Sequence, residues 1–343
     1  MAASRRRQTL AFDSGHLNER GTDVALYDYA HFAEELLGHR SLILVPAEAD
    51  LSALDRFRQR FPVYLYRSRA DLEELLEPVD LYYTQVYGDR PSSMPPKPPS
   101  GRRGVHCVFT ADQPYGEIYA TISAWLSQER GLRSSGAAAI PVVPYMVHLP
   151  QLGEDVREAL GIPPSAVVLG RHGGAGTFNI PWVRDVVGQA VQRREDLHFL
   201  FLNTERFMEH PRVHWLGPTN DLEEKRIFIN TCDAMLHGRA EGETFGLAVA
   251  EFSICNKPVF TWDGSYDKSH IQVLGDKGIY YRGPQDLLGK LLSWRPCPDR
   301  DWDAFSARFS PPSVMRQFSR VFLGQEPSVG DPEKARGHSA HSV

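Results

Sequence analysis

Short apolar runs alternate with amphipathic stretches along most of this chain, and the alternation comes in two successive series. In the first, strand-like runs at 9–13, 41–46, 63–66, 79–84 and 105–110 are interleaved with helical spacings at 23–37, 51–60 and 70–77. In the second, strand-like runs at 166–169, 197–202, 213–216, 233–236, 257–262 and 279–281 are interleaved with helical spacings at 181–192, 222–231, 245–255 and 284–293. Such alternation argues for parallel sheets covered by helices on both faces, an α/β fold. Residues 115–128 read as a helix, 140–143 as a short strand, and 302–322 as a long amphipathic helix broken near Pro311-Pro312. Between the series, 144–161 carries prolines, glycine and acids, which places a junction around 148–162. The expected domains are 1–150 and 151–323, followed by a polar tail, 324–343, expected to be disordered. A chain of 343 residues has enough material for two cores.

Composition removes several classes of function. A formal net charge of −5 gives no electrostatic reason to expect nucleic acid as a partner. No apolar run approaches the roughly 20 residues that span a bilayer. The basic run Arg5-Arg6-Arg7 reads as a solvated tail with at most peripheral membrane contact. Four widely spaced cysteines, with no C-x-x-C pair, read as reduced thiols of a cytoplasmic protein.

The chemistry concentrates in loops that follow strands. The stretch His237-Gly-Arg-Ala-Glu-Gly-Glu-Thr-Phe-Gly-Leu-Ala-Val-Ala-Glu251 reads as strand, loop and helix, running into a further strand. Thr244 is placed to cap that helix, and Gly246 lets a ligand approach the backbone. The N–H groups and dipole of the helix start favour an anion such as phosphate. From Phe245 to Glu251 the axis advances about 9 Å, similar to the reach of a diphosphate with a sugar at each end.

A second loop, Gly170-Arg-His-Gly-Gly-Ala-Gly176, resembles a phosphate-binding turn, with Gly173 and Gly174 at its centre and Arg171 as a fixed cation. It is not a G-x-G-x-x-G, because Asn179 stands where a third glycine would follow Gly174 and Gly176. The turn at 15–22 is its counterpart in the first series, with Arg20 and Thr22 near a helix start. His106 lies in an apolar run near the carboxyl end of a strand, where α/β sites gather. The loop 91–103, rich in Pro and Ser and carrying Lys97, Arg102 and Arg103, is expected on the surface. No metal site stands out: Pro211 separates His210 from His214, and Asp301 and Asp303 suit a helix start. There is no G-x-S-x-G signature of a serine nucleophile.

The run Glu243-Thr-Phe-Gly-Leu-Ala-Val-Ala-Glu251, continued by Asn256-Lys-Pro-Val259, resembles the signature of retaining glycosyltransferases of the GT-B fold, family 4 type (glycosyl transferases group 1). Gly170-Arg171 resembles the start of that family's C-terminal domain, and Val142-Val-Pro144 its domain-crossing segment. The resemblance is close over 233–262 and loose elsewhere. It implies two Rossmann-like domains facing a central cleft, with the donor held mainly by the second. It further implies that Glu243 contacts the donor sugar and that the Phe245-Gly246-Leu247 backbone faces the diphosphate. Glu251 would bind the ribose, Arg171 would neutralise the leaving diphosphate, and His106 would stand near the donor sugar. The expected activity is hexosyl-type transfer (EC 2.4) with retention, from a UDP- or GDP-sugar to a glycan, lipid-linked or protein-linked acceptor. No cofactor and no metal are expected. One departure stands out: the family's lysine, about five residues beyond the arginine, is Gly176 here, which leaves Arg171, helix ends, and Arg20 or Lys225 to supply the charge. Three other readings stay open: a catalytically silent nucleotide-sugar-binding protein of the same fold, an NAD-dependent oxidoreductase built on the glycine turn, and a nucleotide-sugar epimerase.

Overall fold

The computed structural model describes residues 6–18, 20–129 and 139–325, so Arg5 and nearly all of the expected tail 324–343 lie outside the described residues. The first series forms a six-stranded parallel sheet of β1 (Thr9–Asp13), β2 (Arg40–Pro46), β3 (Val63–Tyr66), β4 (Leu81–Val86), β5 (Arg102–Cys107) and β6 (Ile118–Thr121). Helices α1 (Gly21–Glu35), α2 (Leu54–Arg58), α3 (Arg69–Leu75) and α4 (Ala124–Glu129) connect and cover it. The second series forms another six-stranded parallel sheet from β7 (Val167–Arg171), β8 (Leu197–Leu202), β9 (Val213–Leu216), β10 (Ala234–Leu236), β12 (Val259–Trp262) and β14 (Gly278–Tyr281). Its helices are α5 (Pro181–Arg193), α6 (Leu222–Thr231), α7 (Leu247–Ile254), α8 (Ser269–Leu274) and α9 (Pro284–Ser293). A two-stranded ribbon, β11 (Gly242–Glu243) with β13 (Asp267–Lys268), lies outside both sheets.

The strand orders are β3-β2-β1-β4-β5-β6 and β9-β8-β7-β10-β12-β14, the same doubly wound plan in each half. The order reverses between β1 and β4, and again between β7 and β10. Ligands of open α/β sheets bind at the carboxyl ends of strands at such points. Two crevices are therefore fixed by topology: one beyond Asp13, one beyond Arg171 and Leu236. Strand chemistry fits the burial. Leu197–Leu202 is buried along its whole length, as a strand covered on both faces must be. Helix starts follow the usual chemistry: the Asp221 side chain accepts from the Glu223 and Glu224 amides before α6, and Pro181 opens α5.

Four expectations are corrected. The helix expected at 115–128 is strand β6 followed by α4, because Pro114 and Gly116 (φ 85°) break the helical path and Ile118–Thr121 pairs with β5. Residues 140–143 make only one bridge, Thr121 to Val142, since Pro141 and Pro144 have no N–H to build a ladder. In the loop expected at 91–103, Arg102 and Arg103 belong to β5. The helix expected at 302–322 is two short helices, α10 (Ser306–Phe309) and α11 (Pro311–Phe318), with a wide π turn over Ser319–Leu323; Pro311 is the first residue of α11. This C-terminal segment returns to the first sheet. Phe318 stacks on Phe12 and Tyr29, and Phe322 meets the edge of Tyr83, with all five rings buried. A Cβ on Gly104 would come within 2.7 Å of Phe322, so β5 and the returning segment touch through a residue without a side chain.

Candidate active site

The two crevices face each other. One cavity, of about 670 Å³, is lined from both halves, by Asp13, Ser14, His16 and Thr22 on one side and by Arg171, His237, Glu243 and Phe245 on the other. A second cavity, of about 760 Å³, shares Arg20, His172, Gly173, Gly174, Arg239 and Leu247 with it and extends to Asn203, Lys225 and Glu251. Where the halves approach, a Cβ on Gly21, the first residue of α1, would lie 3.3 Å from the Leu247 side chain at the start of α7. Two helix N-termini thus converge on one gap, and their dipoles favour an anion there.

α7 begins without a side-chain cap. Its N-cap is Gly246, left-handed at φ 92°, rather than Thr244 as expected. The β11–β13 ribbon carries the chain past Glu243 in extended form, and only the left-handed glycine turns it into the helix. A Cβ there would stand 3.2 Å from Glu243 Cβ, so loop and helix start are packed as one unit. Phe245, Gly246, Leu247 and Ala248 all line the first cavity, and among the described residues no side chain caps the first-turn amides.

The two acids flanking this helix start are both ionised but held differently. Glu243 Oε1 lies 3.2 Å from His237 Nε2, and Arg239 Nη1 donates to Oε2 at 3.0 Å. Burial acts to raise its pKa, but the His237 bond and the Arg239 charge outweigh it and hold the group at about 2. Behind it, the Thr261 hydroxyl bridges His237 Nδ1 and His270 Nε2, each at 2.9 Å, which fixes the His237 ring. Burial, with His237 beside it, lowers the His270 pKa to about 3, so that ring is neutral. Glu251 is 5% exposed. Burial would raise it too, but Lys225 at 3.3 Å and His172 at 3.0 Å bring it to about 2. The His172 contact has ion-pair distance without hydrogen-bond geometry. Glu251 Oε2 and His172 Nε2 are therefore two buried polar atoms on the second cavity that lack a hydrogen-bond partner among the described residues. Such atoms call for a ligand hydroxyl or water.

The glycine turn after β7 is built by Arg171 itself. Its guanidinium is 3% exposed and donates to Asn203 O at 3.0 Å, Gly174 O at 2.8 Å, Thr204 Oγ1 and Thr177 Oγ1. Among the described residues no carboxylate pairs with it, and burial lowers its pKa to about 10. The Glu243 charge offsets that burial only in part, and a buried cation with no carboxylate in direct contact draws an anion to the cavity it lines. Its N–H groups are nevertheless committed to the loop, so the expectation that Arg171 reaches out to the diphosphate is corrected to a field from beneath. Gly173 (φ 145°) and Gly174 present the loop backbone to both cavities. Asn179, where a third glycine was absent, staples this turn to the other loop: Oδ1 accepts from the Ala240 amide at 2.8 Å, and Nδ2 donates to Glu241 at 3.0 Å. Glu241, which had no role in the sequence reading, is the receiving end of that staple. Lys225 is likewise engaged, with Glu251.

From the first half, Arg20 is exposed, lines both cavities and has no side-chain partner among the described residues. It is the cation left to approach an anion, with Thr22 beside it. His106 is corrected outright. Its ring is 0% exposed, its Nδ1 lies 2.6 Å from the Tyr83 hydroxyl, and it packs against Tyr29 and Phe322. It is the penultimate residue of β5, near the carboxyl end as expected, but on the face covered by the C-terminal segment, and does not line either cavity. Burial lowers its pKa to about 4, so it is a neutral core residue.

His16, His172, His237 and Arg239 line the cavity and were given no role in the sequence reading. The only local signal was the placement of Arg239 four positions before Glu243, at salt-bridge spacing, although these two meet through a loop rather than a helix. Among the described residues no group of three or more His, Cys, Asp or Glu is placed to hold a metal. Asp301 pairs instead with Lys277 at 2.6 Å, and His214 stacks on His198. Among the described residues no helix is long and apolar enough to cross a membrane.

No protein-family model matches the chain, and no curated protein matches it in sequence. Solved structures do match it in fold. HepE from Anabaena, solved in complex with UDP and glucose, is similar with a TM-score of 0.67 at 15% identity, covering 93% of this chain and 100% of that one. A glycosyltransferase from Rickettsia africae gives 0.68 at 12%, covering 93% and 99%. A protein described as a UDP-N-acetylglucosamine 2-epimerase, from Listeria monocytogenes, gives 0.57 at 12%, covering 93% and 98%. The architecture is therefore GT-B: α/β, with two Rossmann-like halves facing a cleft.

Proposed function

We propose that this chain is a glycosyltransferase that moves a sugar from a nucleoside-diphosphate donor to an acceptor hydroxyl. The observation that carries the reading is one uncapped helix N-terminus flanked by two ionised carboxylates, the half-buried Glu243 and the buried Glu251, on a continuous cleft. Carboxylates accept from hydroxyls, and helix-start amides donate to phosphate. A ligand that matches all three carries hydroxyls, then phosphate, then hydroxyls, which describes a sugar, a diphosphate and a ribose. In this reading Glu243 holds the donor sugar and Glu251, through its unpartnered Oε2, holds the ribose. The backbone of Phe245-Gly246-Leu247 and of Gly173-Gly174 cradles the diphosphate. Arg20 and Thr22 close on it from the first half, and Arg171 supplies a buried positive field. These preorganised donors stabilise the charge that grows on the leaving diphosphate without a cation at position 176.

HepE's complex with UDP and glucose supports the donor class, and the sequence resemblance adds retention and independence of metal. It also adds hexosyl transfer to a glycan, lipid-linked or protein-linked acceptor, in the cytoplasm and at most peripheral to a membrane. The domain limits we assign are 1–150 and 151–323 along the chain, with the last stretch of the second lying against the first sheet. The test is turnover against a panel of UDP- and GDP-sugars, with and without EDTA, with product analysis by NMR. Nucleoside diphosphate release that survives EDTA, with the sugar configuration kept in the product, supports the whole reading. An epimerised sugar would assign the fold's other chemistry, that of the Listeria protein. No release with any donor would leave binding alone.

A further inference from the structure

Gly176 leaves the glycine turn without a second cation, and the facing loop carries one, Arg239. Glu243 lies only on the first cavity and Glu251 only on the second, whereas Arg239 lines both. The residues common to both cavities mark the passage between the two acids, and they include Gly173, Gly174 and Leu247 at the start of α7. A ligand with hydroxyls on each acid carries its phosphates through that passage. Arg239 stands there half-buried, its side chain 27% exposed. Nη1 donates to Glu243 Oε2 at 3.0 Å, and Nε lies 3.6 Å from Glu241 Oε2, beyond hydrogen-bond reach. Nη2 has no partner among the described residues, so the free end of a planar fork faces the cleft. Arg171 is near enough for the two charges to repel, a cost that an anion between them removes. The backbone on either side of Arg239 is fixed by one residue. Asn179 N donates to Gly238 O at 3.1 Å, and Asn179 Oδ1 accepts from the Ala240 amide at 2.8 Å. A Cβ on Gly238 would come within 2.6 Å of Phe178, so the loop also packs directly on that ring.

We propose that Arg239 is the cation that meets the terminal phosphate of the donor's diphosphate and takes up the charge that grows there. This rests on the transfer reading above and adds to it the residue that does, in this chain, what Gly176 cannot. In the step, the acceptor oxygen forms a bond to the anomeric carbon and its proton goes to solvent. The bond from that carbon to the diphosphate oxygen breaks, and its electron pair stays on that oxygen, which accepts from Arg239 Nη2. Arg171, with its N–H groups committed beneath the loop, contributes a field, whereas Arg239 contributes hydrogen bonds from a fixed position. Glu243, tied to Nη1, joins the grip on the sugar to the grip on the phosphate that the sugar leaves.

The test compares each nucleoside diphosphate with its monophosphate, UDP with UMP and GDP with GMP, by calorimetry on the full chain. The ratio of the two affinities reads the terminal phosphate alone and does not depend on how much of a preparation is folded. The unaltered chain should bind one diphosphate at least about 10-fold more tightly than its monophosphate. Arg239→Ala should cut that preference about 10-fold or more, the worth of a hydrogen bond to a charged group. Arg239→Lys keeps a charge but loses the fork, and should retain part of the preference. On the unaltered chain, phenylglyoxal labelling of Arg239, mapped by mass spectrometry, should be slowed by the diphosphate and not by the monophosphate; this decides the matter if Arg239→Ala does not fold. A preference that survives in Arg239→Ala and disappears in Arg20→Ala overturns the proposal and gives the contact to Arg20. Equal weakening of diphosphate and monophosphate in Arg239→Ala also overturns it, since a residue that only holds the loop would behave so, as does labelling that ignores the diphosphate. If the unaltered chain binds neither diphosphate, the transfer reading and the role of Arg239 fall together. If it binds one no more tightly than its monophosphate, the role of Arg239 falls alone.

Discussion

Glu243 and Glu251 are held ionised by different neighbours, so their replacements should fail differently. Glu251 faces the second cavity with one unpartnered oxygen, and Glu251→Ala should weaken nucleotide binding about 10- to 100-fold, the worth of a hydrogen bond to a charged group. Glu243 lines the first cavity beside the bend into α7, and Glu243→Ala should mainly lower turnover. Steady-state kinetics with separate kcat and KM reads the difference. His106 offers a contrasting test. Its folded pKa is lowered to about 4 from 6.5, so the unfolded chain takes up a proton near pH 6.5 that the fold refuses until about pH 4. Stability is therefore lost as pH falls through that window, by about 3 kcal/mol at the bottom of it from this residue. His106→Asn should flatten the fall in Tm between pH 6.5 and 4 and leave donor affinity unchanged; a loss of affinity would return His106 to the site. The sequence identified the acids because their spacing around Phe-Gly-Leu is local. It misplaced His106 because an apolar strand covered on both faces does not reveal which face borders a cavity. It passed over His16 because the ring's partner, Asp23, is recruited across a turn.

At the scale of elements, the β11–Gly246–α7 unit is the most demanding. A side chain at Gly246 meets left-handed backbone and Glu243 together, so Gly246→Ala should lower stability by about 1–2 kcal/mol and reduce donor affinity with it. Thermal denaturation and a donor titration on the same preparation check both effects. Strands such as Leu197–Leu202 and helices such as Leu222–Thr231 were legible to the residue, because period and caps are written locally. Strand β6 was not, because Ile118–Thr121 is a strand only by pairing with β5. α8 was missed for a similar reason: six residues do not establish a helical period. The break at Ser310 was legible in kind but not in extent, since Pro311 starts a new helix instead of kinking one.

Across the whole molecule, alternation fixed the class of fold, but nothing in it said that the chain's end would cross back. The segment carrying Phe318 and Phe322 completes the aromatic core of the first half while its chain emerges from the second. Phe322→Ala should cost about 3–5 kcal/mol, as for a large buried ring, and should lower the denaturation midpoint of the first half before that of the second. A single, unshifted transition would show that the returning segment does not stabilise the first sheet. The cleft owes its shape to both switch points, and its proposed chemistry to one helix start between two acids. Calorimetric titration of UDP and GDP into the unaltered chain and into Glu251→Ala and Glu243→Ala tests this most directly. The account predicts saturable binding of one diphosphate by the unaltered chain, at least about 10-fold weaker in Glu251→Ala and within about threefold in Glu243→Ala. No saturable binding, or equal binding with and without Glu251, would contradict it.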